Sequence, residues 1–106
     1  MTEFDTLIHH GTIVTASDTF EADIGITDGK IQAIGRKLPA GKKNIDATGQ
    51  LVMPGGVDGH CHLDQPTGDG SVCADDFYTG TVAAACGGST TVIPFVCQFR
   101  GMPMQA

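Results

Sequence analysis

Gly55-Gly56-Val57-Asp58-Gly59-His60-Cys61-His62-Leu63 decides the reading of this chain. It follows a brief apolar run, Leu51-Val52-Met53, that Pro54 stops, and it reads as a short buried strand. Successive side chains on a strand point to opposite faces. His60 and His62 therefore share a face, Cys61 takes the other, and Asp58 is the next neighbour on the histidine side. Downstream, Asp64 to Ala74 is a polar, glycine-containing loop, and Asp75-Asp76 offers an N-cap with favourable negative charge at a helix start. Phe77 to Cys86 has helical character and Gly87-Gly88 stops it. Ser89-Thr90-Thr91-Val92-Ile93-Pro94-Phe95-Val96 is a second buried, β-branched strand. Strand, helix, strand is a βαβ unit, which implies a parallel pair joined by a right-handed crossover.

Upstream the pattern is antiparallel β. Leu7-Ile8 and Thr12-Ile13-Val14-Thr15 read as two short strands around a turn at His9-His10-Gly11. Ala22, Ile24 and Ile26 alternate with Asp23, Gly25 and Thr27, the period of a half-buried strand. Asp28-Gly29 is a strong two-residue hairpin signal. The return strand Lys30 to Gly35 then places Ile31 and Ala33 on one face, with Gln32 and Ile34 on the other. A loop from Leu38 to Lys43 precedes a short strand, Asn44 to Ala47. The organisation expected is a β module over residues 1–54 and the start of an α/β domain over 55–106. A lone βαβ unit leaves its strands uncovered, so the chain reads as the truncated beginning of a larger fold, prone to aggregate by itself.

Composition narrows the function classes. Of 106 residues, six are Lys or Arg and twelve are Asp or Glu, for a net charge of -6. With no basic run, nucleic acid and anionic membrane surfaces are poor partners. No apolar run approaches the roughly 20 residues of a membrane span. The polar, acidic start lacks the apolar stretch of a secretory signal, and the expected compartment is the cytoplasm. Four cysteines, at 61, 73, 86 and 97, match neither zinc-knuckle nor disulfide-scaffold spacing. All four are read as reduced, with Cys86 and Cys97 as buried thiols.

The chemistry sits at His60 and His62. Two neutral imidazoles side by side are good ligands for zinc and its first-row neighbours. An H-x-H alone is weak, but this one closes an apparent barrel-type strand, the end at which (β/α)8 active sites lie. Asp58 either orients a ligand or caps the turn. The remaining polar residues read as structural. His9-His10 is a surface pair whose rings point to opposite faces and so do not chelate. Asp75-Asp76 is a helix cap, and Gly68-Asp69-Gly70 lacks the lysine of a phosphate loop. Asp64 is a loop residue and Tyr78 packs against the barrel. Pro94 marks a strand end or bulge near the histidine face.

The stretch Val52 to Pro66, with His60-Cys61-His62 inside it, resembles the signature of the amidohydrolase superfamily, and more narrowly its dihydropyrimidinase/hydantoinase branch. Asp75-Asp-Phe-Tyr-Thr-Gly-Thr81 and Ala83 to Val92 strengthen the narrower match, and Leu7 to Val14 with Asp23 to Gly35 resembles the family's opening strands. The resemblance implies a distorted (β/α)8 TIM barrel beside a small β-sandwich built from both chain ends. His60 and His62 would bind one metal, zinc or a similar ion, of a two-metal centre. A bridging carboxylated lysine, two more histidines and an aspartate would follow from later strands. The implied reaction is opening of a cyclic amide by a metal-bound hydroxide, in a homotetramer. No catalytic residue beyond the two ligands falls within these residues, so the chain alone is expected to be inactive.

Two departures stand out. Gln65 replaces a usually apolar residue, and the loop Thr67 to Cys73 is unusually polar. Since that loop lies over the substrate in the family, hydantoin, dihydropyrimidine and other cyclic or N-carbamoyl amides all stay open. Two other readings are a non-enzymatic relative that kept the fold, and a free-standing small β module with an incidental H-x-H.

Overall fold

The computed structural model describes residues 3–101 and 103. Met1, Thr2, Met102 and residues 104–106, which carry the chain-end readings above, lie outside them. The chain divides into two compact units, Met1–Pro54 and Gly55–Ala106.

The first unit is one sheet of five strands: β1 (Thr6–Val14), β2 (Thr19–Thr27), β3 (Lys30–Gly35), β4 (Lys43–Asp46) and β5 (Leu51–Val52). Their order is β3-β2-β1-β4, and β5 also pairs with β1. β1 and β2 are antiparallel, as are β2 and β3, whereas β4 and β5 lie parallel to β1. The hairpin turn is as its sequence dictates, with Asp28 and Gly29 both in the left-handed region at φ 51° and 69°. Asp28 N also donates to Asp5 Oδ2 at 2.9 Å.

Two bulges correct the sequence reading. The segment from Leu7 to Val14 is a single strand, not two around a turn. Ile8 pairs with Ile24 and Gly11 with Ala22, so His9 and His10 together oppose Asp23. One extra residue reverses the face parity of everything after it. That reversal puts Ile8 and Ile13, five positions apart, on the same apolar hollow of about 290 Å3. On β3, Ile31 pairs with Ile26 but Ala33 with Gly25, leaving Gln32 as the extra residue. Ile31 and Ile34 consequently line that same hollow rather than opposite faces.

Leu7, Ile13, Ile24 and Ala47 form the buried core. The alternation on β2 is masked at its centre, because Asp23 and Gly25 are buried too. Asp23 Oδ1 accepts from His10 N at 3.2 Å and Oδ2 from Leu38 N at 3.1 Å. Both carboxylate oxygens of this buried group are thereby satisfied, as burial requires. Gly25 lies under the Phe4 ring, 2.5 Å from where a Cβ would stand.

The second unit is a βαβ step: β6 (Gly56–Cys61), α1 (Phe77–Cys86) and β7 (Ser89–Pro94), with β6 and β7 parallel. Asp76 caps α1, accepting from Thr79 N at 2.7 Å while Thr79 Oγ1 accepts from Asp76 N at 3.1 Å, a reciprocal capping box. Gly88 ends the helix at φ 87°. Leu63 is the buried apolar residue of this unit, packed where Gly80 leaves room: a Cβ there would meet Leu63 Cδ2 at 2.2 Å.

Four burial expectations are overturned here. The β6 segment is exposed, with Val57 66% accessible. Tyr78 is 77% accessible, and Cys86 is exposed. Cys97 is half-buried. α1 has β7 to pack on and buries no residue of its own. The segment Ser89 to Val96, also read as buried, is partly uncovered, with Ile93 57% and Val96 88% accessible. All four cysteines are free. No helix among the described residues is long and apolar enough to cross a membrane.

Candidate metal centre

The end of β6 is irregular. Asp58 pairs with Val92 and Cys61 with Pro94, so Gly59 and His60 together oppose Ile93. Bulges of this kind re-aim side chains at strand ends. Pro94 closes β7, and Phe95 N then donates to Cys61 O at 3.0 Å, carrying the strand contact one residue further. That bond holds the Phe95 ring against both imidazoles. It meets His60 edge-on at a centroid distance of 4.5 Å and stacks on His62 at 5.1 Å with planes 10° apart. The histidine rings themselves are 5.6 Å apart. Both are exposed.

The two expected ligands are therefore side by side, though by a different route from simple alternation. Asp58 does not reach either ring. Its Oδ1 accepts from the His60 backbone N at 3.1 Å, so its role is to shape the bulge.

Gln65 and Phe95 are what sequence reasoning missed. Gln65 was marked only as a departure, yet its Oε1 hydrogen-bonds His62 Nδ1. With the amide oxygen as acceptor, this bond would put the proton on Nδ1 and leave Nε2 its lone pair. This is the usual way a ligating imidazole is oriented and its tautomer chosen. The position three residues after His62, just past a strand end, was the available signal. Phe95 had none, because its place depends on the irregular register of β6 against β7.

The polar loop after Gln65 is a small self-held hairpin. Cys73 N donates to Gln65 O at 2.9 Å, and Pro66 bridges Val72. Inside it, Asp69 Oδ1 accepts from Thr67 Oγ1, from Ser71 Oγ at 2.7 Å and from Ser71 N at 3.0 Å. Those hydrogen bonds, the Thr67 hydroxyl first, hold the Asp69 carboxyl well below the usual carboxylate range. Asp64 N donates to Asp75 O at 2.8 Å, tying the loop's start to the approach to α1.

Among the described residues, three metal-capable donors converge at one other place: His9, His10 and Asp46. The expectation that the neighbouring histidines point apart is wrong. His10 is left-handed, at φ 62°, which swings its ring back beside that of His9, with Nδ1 atoms 3.0 Å apart.

No family model matches the chain. It is 56% identical over 100 residues to a D-hydantoinase of Geobacillus stearothermophilus, covering 93% of this chain and 21% of that protein. It is 50% identical over 92 residues to human dihydropyrimidinase-related protein 5, covering 85% of this chain and 16% of that one. A crystal structure of D-hydantoinase superposes with a TM-score of 0.87 at 52% identity, over 92% of this chain and 21% of the other. The chain thus spans about a fifth of the length of the relatives it matches.

Proposed function

This chain belongs to the hydantoinase and dihydropyrimidinase family, and we propose from that premise that the protein it forms part of is a metal-dependent hydrolase opening cyclic amide rings of hydantoin or dihydropyrimidine type. One observation carries the reading: His60 and His62 stand side by side at the end of β6, with Gln65 bonded to His62 Nδ1, in a chain 56% identical to a D-hydantoinase.

The donor set fits zinc. His62 offers Nε2, its Nδ1 being held by Gln65, and no acidic side chain spends itself on either ring. A divalent ion held there supplies Lewis acidity, lowering the pKa of water towards neutrality and polarising an amide carbonyl. The chain's own residues do the positioning. Gln65 keeps the His62 ring in one orientation, Phe95 walls both imidazoles on one side, and the Asp58 carboxylate holds the bulge that aims His60. Two imidazoles fall short of the three protein ligands that catalytic zinc takes. We therefore place the remaining ligands of a centre with two divalent ions on parts of the protein beyond these residues, and expect this chain by itself to be inactive.

On the same reading β6-α1-β7 is the first step of a (β/α)8 TIM barrel and residues 1–54 are part of the accompanying β-sandwich. A cytoplasmic homotetramer is the matching assembly. The second reading, a relative that keeps the fold without the hydrolysis, is favoured by the 50% identity to a protein named for its relation to dihydropyrimidinase rather than for a reaction. The retained imidazole pair tells against it.

The two readings separate in a ring-opening assay on the full-length protein, with hydantoin and dihydrouracil as substrates. Turnover that a chelator removes and zinc restores is the expected result. Stoichiometric zinc without turnover on either ring would reject these substrates, and neither zinc nor turnover would favour the second reading.

A further inference from the structure

We propose that His9, His10 and Asp46 form a second metal site, on the β1–β4 side of the first sheet, that takes a first-row divalent cation such as Cu2+ or Zn2+. The ligand atoms all lie within 4.8 Å of one another. His9 Nδ1 and His10 Nδ1 are 3.0 Å apart, and His10 Nδ1 is 3.3 Å from Asp46 Oδ1. An ion about 2.1 Å from each of its donors in tetrahedral geometry sets those donors roughly 3.4 Å apart. The three groups need only small side-chain adjustments to meet that spacing. Two imidazoles and one carboxylate are a donor set that suits these cations, copper most tightly.

The arrangement follows from the backbone. β4 runs parallel to β1 with Asp46 in register with His9, and Ala47 N donates to His9 O at 2.9 Å. The β1 bulge puts His10 in the left-handed region, which is uncommon outside glycine although histidine enters it more readily than most, and its surroundings hold it there. Those surroundings include the bond from His10 N to buried Asp23. Asp46 is itself oriented, its Oδ1 accepting from Thr48 N at 3.0 Å and from Thr48 Oγ1 at 2.6 Å. Such outer partners hold ligating carboxylates in metal sites.

His10 Nδ1 faces both the other imidazole nitrogen and the carboxylate oxygen. With a proton on His10 Nδ1, one hydrogen is shared between two acceptors. With the proton on His9 Nδ1 instead, the His10 lone pair faces the carboxylate oxygen. A cation accepts from all three at once.

The test uses the full-length protein carrying His60→Ala and His62→Ala, so that the outcome does not depend on the hydrolase reading. After chelator treatment it is titrated with Cu2+, following stoichiometry by calorimetry and coordination by electron paramagnetic resonance. The expected result is one equivalent with nitrogen hyperfine structure that disappears when His9→Gln and His10→Asn are added. Asn keeps the tolerance for a left-handed backbone, so the strand is preserved. Asp46→Asn alone should weaken that equivalent by more than the ~10-fold that changes to outer partners cause. In otherwise wild-type protein His9→Gln/His10→Asn should leave ring opening intact. An unchanged Cu2+ stoichiometry and spectrum in the His9→Gln/His10→Asn variant would overturn the site, as would the absence of any nitrogen-ligated equivalent before it.

Discussion

The two units of this chain handle their apolar residues differently. The first closes a core, with Leu7, Ile13, Ile24 and Ala47 each at most 6% accessible. In the second, Leu63, at 9%, is the one buried apolar side chain among the described residues. The helix buries nothing, and Val57, Ile93, Phe95 and Val96 stand open. The first unit closes that core while leaving Ile31, Ile34, Leu51 and Met53 52–62% accessible. A parallel β6-β7 pair has two faces to cover and a single helix with which to do so. The second unit thus forms its cap and its parallel pair, while its faces stay largely uncovered.

Substitutions can break or sharpen that contrast. Ile24→Ala, in the closed core, should lower stability by about 2–5 kcal/mol in chemical denaturation. Val57→Ala is the sharper probe. In the 106-residue chain it should change stability by no more than ~0.5 kcal/mol, as exposed positions do. In the full-length protein, where the barrel reading covers β6, it should cost about 1–3 kcal/mol. Equal, small effects in both would contradict the barrel placement. Gly41→Ala should destabilise the first unit by about 1–3 kcal/mol, since its Cβ would stand 2.9 Å from Phe4 O and 3.0 Å from Leu7 N, backbone atoms that cannot step aside. Gln65→Leu, which restores an apolar residue beside His62, should weaken zinc binding roughly 10- to 100-fold in a competition assay without altering the fold.

The smallest effect is acid sensitivity. Thr48 hydrogen bonds lower the Asp46 carboxyl to about 2, and the Thr79 backbone bond lowers that of Asp76. Groups whose folded pKa lies below the unfolded value contribute fully above the unfolded value, about 3.9 for aspartate. That contribution fades as pH falls through the folded value. Protection of the Thr79 and Thr48 amides, taken relative to the intrinsic exchange rate at the same pH, should therefore hold at neutral pH and fall only below about pH 4.

Much of this was legible in the sequence where local chemistry decides. Asp28-Gly29 permits two left-handed residues and became the hairpin turn, Asp76 with Thr79 became a capping box, and His60 with His62 came together. What escaped depends on a single inserted residue. The bulges at His9-His10, Gln32 and Gly59-His60 each shift parity, and no propensity marks which residue of a strand will be the extra one. The switch from Ile8 to Ile13 as neighbours on one face was the trace left in the sequence. Burial was misjudged in the second unit for another reason. Apolar sequence at Tyr78, Cys86 and Val57 records what a side chain is suited to meet, and these residues do not supply the partner.

The central claim, that His60 and His62 hold a catalytic metal in a cyclic amidase, is tested most directly by zinc content and ring opening of the full-length protein beside its His60→Ala/His62→Ala variant. The account predicts bound zinc and hydrolysis of hydantoin or dihydrouracil in the wild type, and loss of most of the zinc and of all measurable turnover in the variant, with the fold intact. A variant that keeps wild-type zinc and turnover would contradict it.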